Sequence, residues 1–190
     1  MNKLTVWFTL CLLSISQPIV AMDVGGIKVP DSITLAGSDT SLQLNGAGIR
    51  KKLFVSVYVG ALYLPEKSTD AGAILAAETT AAVDMHILHS EISKDKITGG
   101  WEDGLNANLD QAELDALRPR LDEFNKLFRA VRKGETIRIA YLPDQGTEVR
   151  INDEWRGVVP GSDFFRALLK VWLGDKPVSK SLKQAMLGQD

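Results

Sequence analysis

Leu44-Asn45-Gly46-Ala47-Gly48-Ile49-Arg50, followed by the run Leu53 to Leu64, is the stretch on which the reading of this chain turns. The second part is rich in β-branched and aromatic residues: Phe54, Val55, Val57, Tyr58, Val59 and Tyr63. It predicts a long strand, with Gly60 marking a bend or a close approach and Pro65 ending it. Just upstream, Leu42 and Leu44 alternate with polar neighbours, the period of a half-buried strand over Leu42 to Gly46. The glycines between let the backbone turn or be approached closely. Gly46-Ala47-Gly48 looks like the front of a dinucleotide fingerprint. Its third glycine would fall at Lys51, and a strand follows where phosphate binding needs a helix N-terminus, so that reading is rejected.

Arg50 then stands just ahead of an apolar strand. A guanidinium makes two parallel hydrogen bonds to a carboxylate, and burial strengthens the pairing. Tyr58, on the facing strand, is placed to offer a hydroxyl to the same anion. The residues alone leave two readings open: an anion site, or a surface arginine near a turn.

Outward from this stretch, two short extended pieces, Ile27 to Val29 and Ser32 to Leu35, come first. Ser68 to Ala77 predicts a short helix capped by Ser68 or Thr69. Val83 to His89 returns to strand. Ser93 to Leu109 is helical in tendency. Asp110 with Glu113 makes a capping box for a helix running to Val131, weakened or kinked at Pro119 and closed by Gly134. Leu114, Leu117, Leu121, Phe124, Leu127 and Phe128 recur along it at helical spacing. Thr136 to Leu142, Glu148 to Asn152 and Glu154 to Val159 read as a meander with turns at Pro143-Asp144-Gln145-Gly146 and Asn152-Asp153. An apolar helix over Phe164 to Leu173 and a short one over Ser179 to Leu187 close the chain. Strands early and late, with helices between and at the end, argue an α+β fold: an antiparallel-rich sheet with helices segregated on one face.

The chain has 190 residues, enough for one domain. Met1-Asn2-Lys3, the apolar run Leu4 to Ile15 and the small-residue end Ile19-Val20-Ala21 form a secretory signal pattern, with cleavage expected after Ala21. The run is shorter than the about 20 apolar residues a bilayer span needs. The expectation is a leader over residues 1–21 and a periplasmic or secreted domain over 22–190 with no stable membrane insertion. The one cysteine, Cys11, lies inside the leader, so the mature domain has no thiol for disulfides, nucleophilic attack or metal ligation. A formal charge of −2 carries no electrostatic footprint for nucleic acid. The two histidines, His86 and His89, point to opposite faces of a strand and cannot share a metal. Nothing implies a cofactor. The aromatic set Phe124, Phe128, Phe164, Phe165 and Trp172 reads as core.

The opening stretch resembles the chalcone isomerase superfamily, whose members carry a Gly-x-Gly-x-Arg segment and then a strand ending in Tyr-Leu. Here these are Gly46-Ala47-Gly48-Ile49-Arg50 and Tyr63-Leu64. Glu91-Ile92-Ser93 through Trp101 to Leu109, and Phe164 to Leu187 with Gly174, Val178-Ser179 and Leu182-Lys183, are similar as well. The resemblance implies an open-faced β-sandwich: a large antiparallel sheet, a layer of helices on one face, and a ligand cleft between.

The plant enzymes hold a nascent phenolate with an arginine, helped by a threonine, a lysine, a tyrosine and an asparagine. Arg50 matches the arginine. Tyr58 falls at the threonine, Leu88 at the lysine, Ile97 at the tyrosine and Gly104 at the asparagine, while Val171 falls at a further cleft threonine. Losing one preorganised donor already costs roughly a hundred- to a thousandfold in rate. The departures resemble the non-catalytic fatty-acid-binding branch, where the arginine is kept and a tyrosine replaces the threonine. By that resemblance Arg50 and Tyr58 would hold the carboxylate of a fatty acid or similar amphipathic ligand, with Leu88, Ile97 and Val171 along its chain. Two alternatives are an isomerase (intramolecular lyase) on a phenolic or enone substrate, using Arg50 and Tyr58, and a structural or interaction domain with a vestigial cleft.

Overall fold

The computed structural model describes residues 21–36 and 40–189. The predicted leader, apart from Ala21, lies outside the described residues. The elements run β1 (Ala21–Val24), β2 (Ile27–Pro30), β3 (Ser32–Thr34), β4 (Ser41–Lys52), β5 (Val55–Leu64), α1 (Ala71–Ala76), β6 (Ala81–Ile87), β7 (Glu91–Ile92) and α2 (Lys94–Asn108). They continue α3 (Gln111–Lys126), β8 (Val131–Arg132), β9 (Thr136–Leu142), β10 (Gly146–Ile151), β11 (Glu154–Val159), α4 (Ser162–Leu173) and α5 (Lys180–Met186).

Seven strands form one curled antiparallel sheet in the order β11-β10-β9-β6-β5-β4-β3. Side chains alternate across a strand, so each strand feeds two faces. Leu62, Val83, Met85, Ile139 and Val149 face the helices and join one core with residues of α1 to α5. Val59, Ala61, Tyr63, Ala82 and Ala140 face the other way, where Val29 and Ile33 of the first strands cover part of the sheet. This second face also carries an ion pair: Arg138 donates through Nε and Nη2 to both oxygens of Asp84 at 2.7 Å. The open-faced α+β architecture expected from the sequence is the one observed.

Local expectations hold where a side chain itself fixes the element. Ser93 caps α2 and Asp110 closes a capping box with Glu113 on α3. Several others are corrected. Gly46-Ala47-Gly48 is not a turn: β4 runs unbroken from Ser41 to Lys52, and the reversal is a two-residue loop at Leu53-Phe54. Arg50 therefore sits inside a strand. α1 is capped by Asp70, whose Oδ1 accepts from the Gly72 and Ala73 amides, while the Ser68 hydroxyl accepts from the Asp70 amide, ahead of the helix. α3 continues through Pro119 but ends at Lys126, well short of Val131, because buried Val131 is drawn into pairing with Ile92. β1 was not foreseen.

Candidate cleft between sheet and helices

The glycine motif earns its place by packing. A Cβ at Gly46 would stand 2.0 Å from the carbonyl oxygen of Ala185, and one at Gly48 would stand 2.5 Å from the Ala185 Cβ. α5 therefore lies directly against β4, which only bare backbone permits. Buried Asn45 fastens the same junction: its Nδ2 donates to Met186 O at 2.8 Å and to Ser68 O at 2.9 Å. A Cβ at Gly60, on β5, would meet Leu182 at 3.3 Å, the close approach the sequence suggested.

Two pairing steps beyond the Gly48–Gly60 pair, Arg50 faces Tyr58 directly across the β4–β5 ladder. The guanidinium carbon lies 5.7 Å from the centroid of the Tyr58 ring, within cation–π range. The register slips immediately afterwards, with Lys51 opposite Ser56. This bulge puts Val57 and Tyr58 on the same, helix-facing side. Both then line a cleft of about 540 Å³ between sheet and helices. Small-molecule sites commonly span ~300–1,000 Å³.

Buried Tyr58, Met85, Ile97, Trp101 and Val171 form the cleft's floor. Its rim is exposed and charged, with Lys52, Leu53, Val55, Glu91, Lys96 and Asp103. Two nitrogens buried here have no hydrogen-bond partner: Arg50 Nε and Trp101 Nε1. Among the described residues Arg50 makes no ion pair. A buried donor left unpaired costs about 1–3 kcal/mol.

Tyr58 is held by Trp172, whose Nε1–H donates to Tyr58 Oη at 2.9 Å. The accepted bond leaves the phenol's own proton free to point into the cleft. Burial pushes the Tyr58 pKa up to about 12, against the opposing pull of the Arg50 charge and the Trp172 hydrogen bond. At neutral pH the residue is a donor, not a base.

Arg50, Tyr58, Ile97 and Val171 are thus brought together as the sequence reading expected. Leu88 is not. Met85 and Ile87 face the helices, so Leu88 falls on the other side of the sheet and packs with the second cluster. Placing it at the cleft is corrected by the strand's period of two, and Met85 and Val57 take that ground. Gly104 does not line the cleft. A Cβ there would meet Val171 at 2.8 Å, so it is a contact point between α2 and α4. Trp172 and Trp101 were missed as site residues. A buried indole N–H needs a partner, the one signal that could have singled Trp172 out from the aromatic core. His89 lines the cleft, while His86 lies across the sheet with Thr136 at 3.0 Å.

A sequence profile of the chalcone isomerase-like family matches residues 21–188. Among solved structures, a fatty-acid binding protein of Arabidopsis thaliana is similar over 91% of this chain and 95% of its own. The TM-score is 0.66 at 17% sequence identity, a likeness of fold. No curated protein sequence matches the chain.

Proposed function

Because the chain belongs to the chalcone isomerase-like family, we propose that it binds a fatty acid or a similar amphipathic carboxylate rather than isomerising a chalcone. The observation that carries this reading is Arg50: a half-buried guanidinium with an unpartnered Nε, beside a protonated phenol, at the edge of an apolar cleft. A carboxylate satisfies both groups, and the apolar floor suits an acyl chain. That the structurally similar Arabidopsis protein is a fatty-acid binding protein supports the same reading. Ile97 and Val171, where the plant enzymes' pattern has polar groups, present only hydrocarbon to the cleft, and Gly104 is closed over by Val171. These three positions offer no group to polarise a ketone or order a water.

Export belongs to the proposal. The leader pattern ends at Ala21, and the family match begins there. N-terminal sequencing of the protein recovered from its own cell envelope should find a chain starting at or near Met22.

Lipid extraction and native mass spectrometry of protein purified from its source is the direct test. A co-purified fatty acid is the expected result. Turnover of chalcone well above the uncatalysed rate, abolished in Arg50→Ala, would overturn the reading in favour of an isomerase.

A further inference from the structure

The β4–β5 hairpin ends in side chains the fold does not use. Phe54 is 99% exposed, Leu53 88% and Val55 50%. Leu53 also has a φ of 57°, in the left-handed region that favours glycine. A two-residue hairpin loop asks for glycine or asparagine at such a position. A branched apolar residue there strains the backbone and gains no burial in return. The lysines that precede it, Lys51 and Lys52, are exposed as well.

The position of this tip gives it meaning. Lys52, Leu53 and Val55 are rim residues of the cleft, and Arg50 lies two residues inside the mouth. Lys96 adds a second positive charge to the rim. The acidic rim residues are Glu91, already paired with Arg132 at 2.8 Å, and Asp103. An apolar point flanked by lysines matches the boundary of an anionic bilayer, where apolar side chains enter and cations meet headgroups. No helix among the described residues is long and apolar enough to cross a membrane.

We propose that the Lys51–Val55 tip docks the protein peripherally on an anionic lipid surface, so that the cleft mouth opens onto the bilayer from which its amphipathic ligand comes. This rests on the reading of the cleft as a lipid-carboxylate site. The tip supplies the shallow apolar anchor, Lys51 and Lys52 supply the attraction, and Arg50 receives the carboxylate as it leaves the interface.

The test compares wild type with Phe54→Ser and Lys51→Glu, neither of which lines the cleft. Binding is measured by co-sedimentation with vesicles of equimolar phosphatidylcholine and phosphatidylglycerol, and with vesicles of phosphatidylcholine alone. Residues 1–20 are the same in every co-sedimented chain, so a difference between these variants does not come from them. Phe54→Ser should weaken binding to the anionic vesicles by about tenfold or more, from the loss of one buried aromatic side chain. Lys51→Glu should weaken it at least about fivefold, the worth of one basic residue near such a surface. Pure phosphatidylcholine should bind wild type more weakly than the mixture. Leu53→Gly should weaken vesicle binding while leaving thermal stability unchanged or raised.

A polarity-sensitive dye on Phe54→Cys, in a Cys11→Ser background, should shift to the blue on anionic vesicles. The same dye on Asp144→Cys, at the opposite end of the sheet, should not. Equal vesicle binding by wild type and Phe54→Ser, or no dye shift at position 54, would overturn the proposal. So would a concentration-dependent dimer that Phe54→Ser dissociates without any vesicle binding, which would give the tip to a second copy of the chain. Calorimetry with dodecanoate separates the two readings. Dodecanoate binding without vesicle binding sinks the docking alone. Vesicle binding without dodecanoate binding supports the docking and sinks the ligand.

Discussion

Trp172 on α4 donates its indole N–H to the Tyr58 hydroxyl on β5 at 2.9 Å, a buried bond between residues 114 positions apart. It fixes the phenol oxygen and leaves the phenol proton as the only one Tyr58 can offer. Trp172→Phe removes the donor, leaves a cavity and frees the hydroxyl to rotate. The expected cost is roughly 2–4 kcal/mol of stability, the sum of a lost buried hydrogen bond and a smaller ring. In the double variant Trp172→Phe with Tyr58→Phe, part of that cost should vanish, because no hydroxyl remains to be satisfied. Denaturant titration of the four proteins measures the coupling. Strict additivity would show that the bond carries no energy.

Among the described residues Arg50 has no ion-pair partner and only the Tyr58 ring beside it, so its contribution should appear more in binding than in folding. Hydrogen bonds to charged groups contribute about 1.5–3 kcal/mol, which sets the loss in Arg50→Ala at roughly ten- to a hundredfold for a fatty acid. The matching alcohol should change by about twofold or less, since it makes no charge-assisted bond. Tyr58→Phe should follow the same pattern with a smaller effect. Each buried methylene adds about 0.8 kcal/mol, so affinity should climb with chain length until the cleft is full. Calorimetry over a series of acids and alcohols decides the point. Equal losses for acid and alcohol would exclude the carboxylate role of Arg50.

The meander, the capping box on α3 and the two closing helices were legible because side-chain period and caps specify them locally. So was the pairing of Arg50 with Tyr58, since a hairpin brings its own strands together. Gly46-Ala47-Gly48 was ambiguous for a physical reason. Glycines serve both turns and close approaches, and the element that approaches, α5, lies some 140 residues away (the Asn45–Met186 bond spans 141). Leu88 was misplaced because the resemblance aligned it with a cleft residue, while the strand's own alternation put Met85 and Ile87 on the helix side. The loop at Leu53-Phe54 was hidden by its composition: two apolar residues between β-formers read as strand, and only the left-handed Leu53 shows the turn.

Glycine-to-alanine substitutions should separate packing glycines from idle ones by sign. Gly46→Ala drives a methyl into the Ala185 carbonyl, which is backbone and cannot swing aside. It should destabilise by at least about 1–3 kcal/mol, the usual cost of overpacking, and loosen α5. Gly99 and Gly100 lie within α2 with nothing near their Cβ positions. Alanine at either should stabilise by about 0.5–1 kcal/mol, the helix-propensity gain. Thermal melts of the three variants make the comparison. A Gly46→Ala protein as stable as wild type would mean that α5 is not held against β4.

Stability should fall at both ends of the pH scale, and different residues should govern each end. Glu135 accepts from Arg129, from the Arg132 amide and from Asn152, and the Arg129 bond first of all draws its carboxyl down from 4.5 to about 2. Asp163 is lowered likewise, chiefly by Arg120. A lowered carboxylate contributes stability that is present above its unfolded pKa and lost as pH falls through its folded one. The acid limb should therefore open below 4.5 and deepen toward about 2. At the other end, burial raises Tyr58 from 10.0 to about 12 and raises Tyr63 as well. A raised phenol contributes stability that is complete below 10.0 and lost as pH rises through about 12, because the unfolded chain gives up the proton more readily. Denaturant midpoints across pH should form a plateau between these limbs. Glu135→Gln should flatten the acid limb and leave the alkaline one intact. Tyr58→Phe should do the reverse, removing one of the two buried phenols that resist ionisation. An alkaline limb that is unchanged in Tyr58→Phe would show that the phenol is solvated, and with it that the cleft floor is open to water.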